Sequence, residues 1–262
     1  MSGNKSPDHV QPREAKVRSA PAARALSDSL RLLANPEQAR FLQRFFKTGP
    51  GQYAEGDVFL GIKVPLIRQQ VRRFCTMSPN EAQKLVRSPI HEERLAGLLL
   101  WVECFRKGDA RTRGRIFNLY LRNTRHINNW DLVDASAPHI VGGFLRPQDT
   151  ALLDSLAGSE LLWERRIAIL ATGGYIRKGI FSPTLRLCRR LLQDPHDLMH
   201  KACGWMLREV GKRDRASLSR FLERHAGEMP RTMLRYALEH YRPEERRQFM
   251  AQPKTPAKPK GA

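Results

Sequence analysis

Apolar residues recur at helical spacing along almost the whole chain, from about residue 26 to residue 250. Leu26, Leu30 and Leu33 open the pattern, and Pro36 starts a second helix over Glu37–Phe46 with Phe41, Leu42, Phe45 and Phe46 as its apolar stripe. The signal stops between Thr48 and Pro65. There Gly49-Pro50-Gly51 breaks the helix, and a long connection follows with anchors at Phe59, Leu60 and Ile62. Leu66–Phe74 resumes it, and the apolar run Leu95–Val102 reads as a buried helix segment, far short of the roughly 20 residues that span a bilayer. No alternating run of strand length competes with this pattern, so the expected fold is all-α.

The later segments repeat. Arg94, Trp130, Arg166, Lys201 and Arg235 occupy similar places in their helices and are spaced by 36, 36, 35 and 34 residues. Breakers stand at matching joints: Ser88-Pro89, Gly158-Ser159, Asp194-Pro195 and Met229-Pro230. A period of this length built from helix pairs is the signature of an α-solenoid. The expectation is a right-handed superhelix of helix pairs whose equivalent helices line one concave face. Basic residues at one phase of the repeat then form a stripe of Arg94, Arg166, Lys201 and Arg235, joined by Arg177, Lys178, Arg208, Lys212 and Arg213. Arg94 taken alone reads more simply as a solvated position or as a brace to a carboxylate between repeats.

Charge narrows the partners. Lys and Arg number 46 against 26 Asp and Glu, a formal net charge of +20. A field of that size attracts polyanions, nucleic acid first and an anionic membrane surface second. The stripe favours nucleic acid, since a row of cations matches a phosphate backbone. Residues 1–25 and 251–262 are rich in Pro, Ala, Lys and Arg and poor in large apolar groups, and are expected to be disordered basic arms. Cys75, Cys104, Cys188 and Cys203 are scattered in apolar helical contexts and read as reduced core thiols of a cytosolic protein. His196, His200 and Cys203 could share a helix face, but their spacing matches no closed zinc set, and no metal site is expected.

The chemistry gathers at the centre, in His126–His139. Trp130 and Asp134 stand four residues apart, so a helix presents them on one face. Asp134 follows Leu132-Val133 and precedes Ala135, Ala137 and Pro138. A carboxylate in such company is a helix cap, as Asp131 is also fitted to be, part of a partly buried polar site, or on a surface that meets something cationic. Four residues beyond the repeat column stand Leu98, Asp134, Leu170, Trp205 and Glu239, so Asp134 replaces an apolar residue in one repeat and Trp205 a smaller one in another. Such departures from a regular repeat are where function is expected.

Asn129–Asp134, Arg165–Ile169, Tyr175–Gly179, His200–Arg213 and Met229–Ala237 resemble the AlkD family of DNA alkylation repair glycosylases, over about residues 25–250. The resemblance implies a superhelix of HEAT-like repeats and excision of cationic alkylated purines, such as 3-methyladenine and 7-methylguanine, from duplex DNA without a cofactor. It implies Asp134 as the catalytic carboxylate, Trp130 and Trp205 as the aromatic pair beside the lesion, and Arg166 and Arg208 as holders of the phosphate backbone. Tyr53 matches a tyrosine at the lesion site. Gly173-Gly174 stands where bulkier residues are expected in relatives. The implied enzyme is a monomer of a bacterial-type cytosol, associated with the nucleoid and not with a membrane. The other reading of the same residues is a repeat module that binds nucleic acid without chemistry.

Overall fold

The computed structural model describes residues 22–146 and 148–253. Among these residues all regular structure is helical apart from one isolated bridge, Val58 to Ile90. The chain opens with α1 (Ala22–Arg31), α2 (Pro36–Phe46) and α3 (Val64–Arg73). Helix pairs follow: α4 (Pro79–Val86) with α5 (His91–Lys107), α6 (Ala110–Leu121) with α7 (Trp130–Phe144), and α8 (Ala151–Ala157) with α9 (Leu162–Ala171). A short α10 (Gly173–Ile176) leads to α11 (Ser182–Arg190) with α12 (Asp197–Gly211) and α13 (Arg215–His225) with α14 (Arg231–Ala237), and α15 (Pro243–Ala251) closes the described chain. The expected α-solenoid of helix pairs is the architecture found. The expected basic arms lie outside the described residues, except that α1 is already helical at residues 22–25 and α15 runs on to Ala251, with residues 252–253 beyond it described.

Helices α5, α7, α9, α12 and α14 stack on one another in an inner row, and α4, α6, α8, α11 and α13 pack behind them in an outer row. One continuous core of buried aliphatic and aromatic side chains runs between the rows, from Leu26 to Tyr241. The backbones come into contact where α7 meets the end of α9 and α10. A Cβ on Gly174 would lie 2.3 Å from the Gly142 carbonyl oxygen, and one on Gly142 would lie 2.0 Å from that of Ala171. These glycines let the backbones touch, which is why Gly174 takes the place expected of a bulkier residue. A Cβ on Gly173 beside it would make only ordinary van der Waals contact, with no atom nearer than 3.6 Å.

The joints show the repeat in hydrogen bonds. The Ser88 hydroxyl donates to Glu93 (2.6 Å) and accepts from the Ile90 N–H, while Arg94 donates to the Ser88 and Pro89 carbonyls and to Asp57. The Ser159 hydroxyl donates to Glu164 (2.6 Å) and accepts from Leu161, while Arg165 donates to the Ser159 and Glu160 carbonyls and to Asp194. Arg94 is therefore the counterpart of Arg165 and not of Arg166. It is 4% exposed and braces repeats through a carboxylate, so it leaves the basic stripe. The sequence register had slipped by one residue because an Arg follows a Glu in both helices.

Two other expectations change. In α2, Phe46 is buried and Leu42 half-buried, but Phe41 and Phe45 are exposed and meet edge to face, so the stripe only partly faces the core. Cys188 and Cys203 are buried and Cys104 half-buried, all as free thiols, but α3 ends before Cys75 and leaves it exposed.

Candidate DNA-facing groove

The first turn of α5 builds one wall of the site by gripping the connection between α2 and α3. Glu92 accepts from the backbone N–H groups of Leu60, Gly61 and Ile62 at 2.9, 2.8 and 3.2 Å. Gly61 sits at φ +81°, and a Cβ there would lie 2.2 Å from the Asn35 carbonyl oxygen, so the turn requires glycine. His91 lies between two carboxylates, with Nδ1 3.2 Å from Asp57 and Nε2 2.8 Å from Asp131, and its ring stacks on Phe59. Burial alone would lower its pKa, but Asp131 and Asp57 outweigh that and raise it to about 9. His91 is therefore an imidazolium at neutral pH. Asp57 also accepts from Arg94 (2.6 Å) and Asn129 (3.3 Å), and despite burial its carboxyl is held below the usual range.

This network pins α7 against the connection. The Asn129 side chain caps the helix by accepting from the Trp130 N–H, so the capping role belongs to Asn129. Asp131 sits in the first turn and faces His91. The Trp130 indole stacks on Phe46 at 5.2 Å with the planes 7° apart. Asp134 follows one turn later on the same face. Pro138, four residues on, supplies no amide to the Asp134 carbonyl.

The Asp134 carboxylate is gripped by Arg166 of α9, with Nε to Oδ1 and Nη2 to Oδ2 both at 2.8 Å. The third arm, Nη1, donates to the Leu198 carbonyl at 2.7 Å. Arg166 is 5% exposed and its fork is fully committed. In this structure it braces the carboxylate and the start of α12, with one N–H of each of its three nitrogens engaged. Burial raises the Asp134 pKa above the usual carboxylate range, and Arg166 opposes that shift.

Asp134 and Arg166 open into a groove of about 490 Å³. Trp130 and Trp205 line it, as do Tyr53 and Lys201, so six of the sequence-selected residues converge there. Tyr53 donates its hydroxyl to the Phe45 carbonyl (3.1 Å) and sets its ring edge to face against Trp163 and His196; burial raises its pKa. Lys201 pairs with Asp197 at 2.8 Å. The other selected cations lie away from the groove lining. Arg208 pairs with Glu239 and Glu209, Lys212 and Arg213 pair with Glu209, Arg177 donates to the Pro138 carbonyl, and Lys178 is exposed. Arg235 is exposed on α14, and its neighbour Tyr236 lines the groove in its place.

Sequence reasoning missed Phe45, Lys47, Tyr236 and His196 in the lining. His196 is the most informative. Its Nδ1 accepts from the Leu198 N–H at 3.1 Å and caps α12, which leaves the ring proton on Nε2. Burial, chiefly, lowers its pKa, so the ring is neutral at neutral pH. His200 turns to the Asp194 carbonyl, so both rings of the metal-like spacing are engaged by backbone. Among the described residues no cluster of three or more His, Cys, Asp or Glu side chains is arranged to hold a metal.

The sequence model of the DNA alkylation repair enzymes matches residues 26–241. No curated protein sequence matches the chain. Among solved structures, one described as a predicted DNA alkylation repair enzyme from Enterococcus faecalis is similar, with a TM-score of 0.62 and 16% sequence identity, over 79% of this chain and 96% of that chain. At that identity the likeness is one of fold.

Proposed function

The chain belongs to the DNA alkylation repair enzyme family, and from that premise we propose that it is a monofunctional DNA glycosylase that hydrolyses the N-glycosidic bond of cationic alkylated purines, such as 3-methyladenine and 7-methylguanine, in duplex DNA. The observation that carries this reading is Asp134, a carboxylate held bidentately by Arg166 in a groove walled by Trp130 and Trp205.

An N-alkylated purine bears a formal positive charge and leaves without a general acid. One of the two carboxylates of ordinary glycoside hydrolysis thereby becomes dispensable. As the C1′–N bond breaks, its electron pair neutralises the purine and the sugar acquires oxocarbenium character. Asp134 stabilises that charge and orients the water whose oxygen bonds to C1′; the water proton passes to solvent. Trp130 and Trp205 attract the cationic base by about 0.5–2 kcal/mol each. A neutral base gains much less, so charge supplies the selectivity. No cofactor or metal enters the scheme, and one protein chain suffices. No helix among the described residues is long and apolar enough to cross a membrane.

A repeat module that binds DNA without chemistry is the competing reading, favoured by the completeness of the Arg166–Asp134 pair, which would also serve as a structural tie. Release of free 7-methylguanine from a singly modified duplex, measured with EDTA present for wild type and Asp134→Asn, separates the two. Release by wild type alone supports the glycosylase. No release by either protein, with tight duplex binding by both, sinks it.

A further inference from the structure

A second groove of about 660 Å³ lies on the outer row, between α4 and α6. Asn80, Gln83 and Arg87 line it from α4 and its C-cap, at i, i+3 and i+7. Arg111, Arg115, Asn118 and Arg122 line it from α6 and its C-cap, at i, i+4, i+7 and i+11. Apart from Leu119 the lining is guanidinium and amide, and it contains no carboxylate. Beside the lining, buried Asn123 ties the two helices: it accepts from Arg87 Nε (2.7 Å) and Gln83 (3.4 Å) and donates to the Leu119 carbonyl (2.6 Å). Arg87 thus meets a neutral amide, and Arg111, Arg115 and Arg122 have no ion-pair partner among the described residues. Asp109, which caps α6 and feels the Arg111 charge, lies outside the lining. The seam between α11 and α13 is different, for there Arg186 is neutralised by Asp154.

We propose that this outer groove binds the phosphodiester backbone of a second nucleic-acid duplex. From Arg111 to Arg122 the helix rises about 16 Å. That spans roughly five steps of a duplex strand at about 3.4 Å each. Cations set along such a length, with amides between them, are what backbone contacts use. No residue of the outer groove lines the Trp130–Asp134 groove, and α4 and α6 stand behind the helices that carry it. A duplex held there is a separate segment, and the protein would bridge two stretches of DNA while it searches.

The test is a bridging assay with undamaged DNA. One short duplex is immobilised, the full-length protein is added, and capture of a second, fluorescent duplex is read at low salt. Wild type captures it. Arg111→Gln/Arg115→Gln/Arg122→Gln binds the immobilised duplex but captures at least tenfold less, and the slope of log K against log salt for the second duplex weakens by about 2–3. The triple Lys variant keeps capture, which excludes misfolding as the cause. No bridging by wild type, or equal bridging by the Gln variant, overturns the proposal. So does duplex RNA that displaces the labelled duplex far better than DNA does, since the groove would then be an RNA site. Base release from 7-methylguanine DNA is scored separately: its absence with bridging intact defeats the glycosylase reading and leaves the outer groove standing.

Discussion

In the proposed mechanism Asp134 must be ionised to stabilise a sugar cation, and two neighbouring effects decide whether it is. Burial raises its pKa and Arg166 opposes the rise. The active form is the carboxylate, so excision is retained above the raised pKa and lost as pH falls through it. The acid limb of the single-turnover rate should therefore lie above about 4, the value for a free aspartate. Arg166→Lys keeps a charge but loses the fork, and should move that limb further up in pH; a limb that stays in place would show that Arg166 does not hold the ionised form. His196 makes a second case at this scale. Its Nδ1 is tied to the Leu198 N–H, so its Nε2–H is the donor left to the groove. His196→Asn can still cap α12. It should keep the melting temperature and slow excision about tenfold, the worth of one neutral hydrogen bond. A drop in both would make His196 a cap and nothing more.

At the scale of elements, the site depends on how α5, α7 and the early connection are pinned together. His91 is the pin, charged between Asp57 and Asp131, with its pKa raised to about 9. A raised histidine pKa stabilises the fold fully below about 6.5, and that stability is lost as pH rises through about 9. Urea melts of wild type should thus weaken across this window, by on the order of 3 kcal/mol. His91→Gln should be less stable at pH 6 and lose that dependence; a variant with the wild-type slope would place the titration elsewhere. The glycine pair gives an independent check. Gly174→Ala must push α10 from the Gly142 carbonyl and should cost about 1–3 kcal/mol, whereas Gly173→Ala, whose Cβ would make only ordinary contacts, should be neutral or better. Much of this was visible in the chain. The helix pairs were legible because Ser, Pro and Gly punctuate them, and Asp134 because it breaks an apolar column. The Asp57–His91–Asp131 network was not, since its members are 34 and 40 residues apart and one of them sits in the segment that does not repeat. His196 was noticed only as a metal-like spacing, because its role depends on a cap that spacing does not encode.

At the scale of the molecule, an α-solenoid presents a groove and no closed pocket. The Trp130–Asp134 groove is bounded by the inner helices and by the early connection that carries Tyr53. What the proposed chemistry requires is a cationic base near two indoles and C1′ near Asp134. It does not require the base to be enclosed. An enzyme that traps its base in a snug cavity discriminates by size as well as charge. Here the leaving group is activated by its own charge, so a larger N7 substituent that points out of the groove should be tolerated. Excision of a bulky N7-alkylguanine should proceed within about tenfold of 7-methylguanine, since a tenfold change is only about 1.4 kcal/mol of barrier. Neutral adducts of the same size should resist. Single-turnover release of both bases from matched duplexes is the measurement. A loss of several orders of magnitude for the bulky cation would mean that the groove closes around the base. Selectivity would then come from shape, and the two indoles would be walls of a pocket instead of partners for a charge.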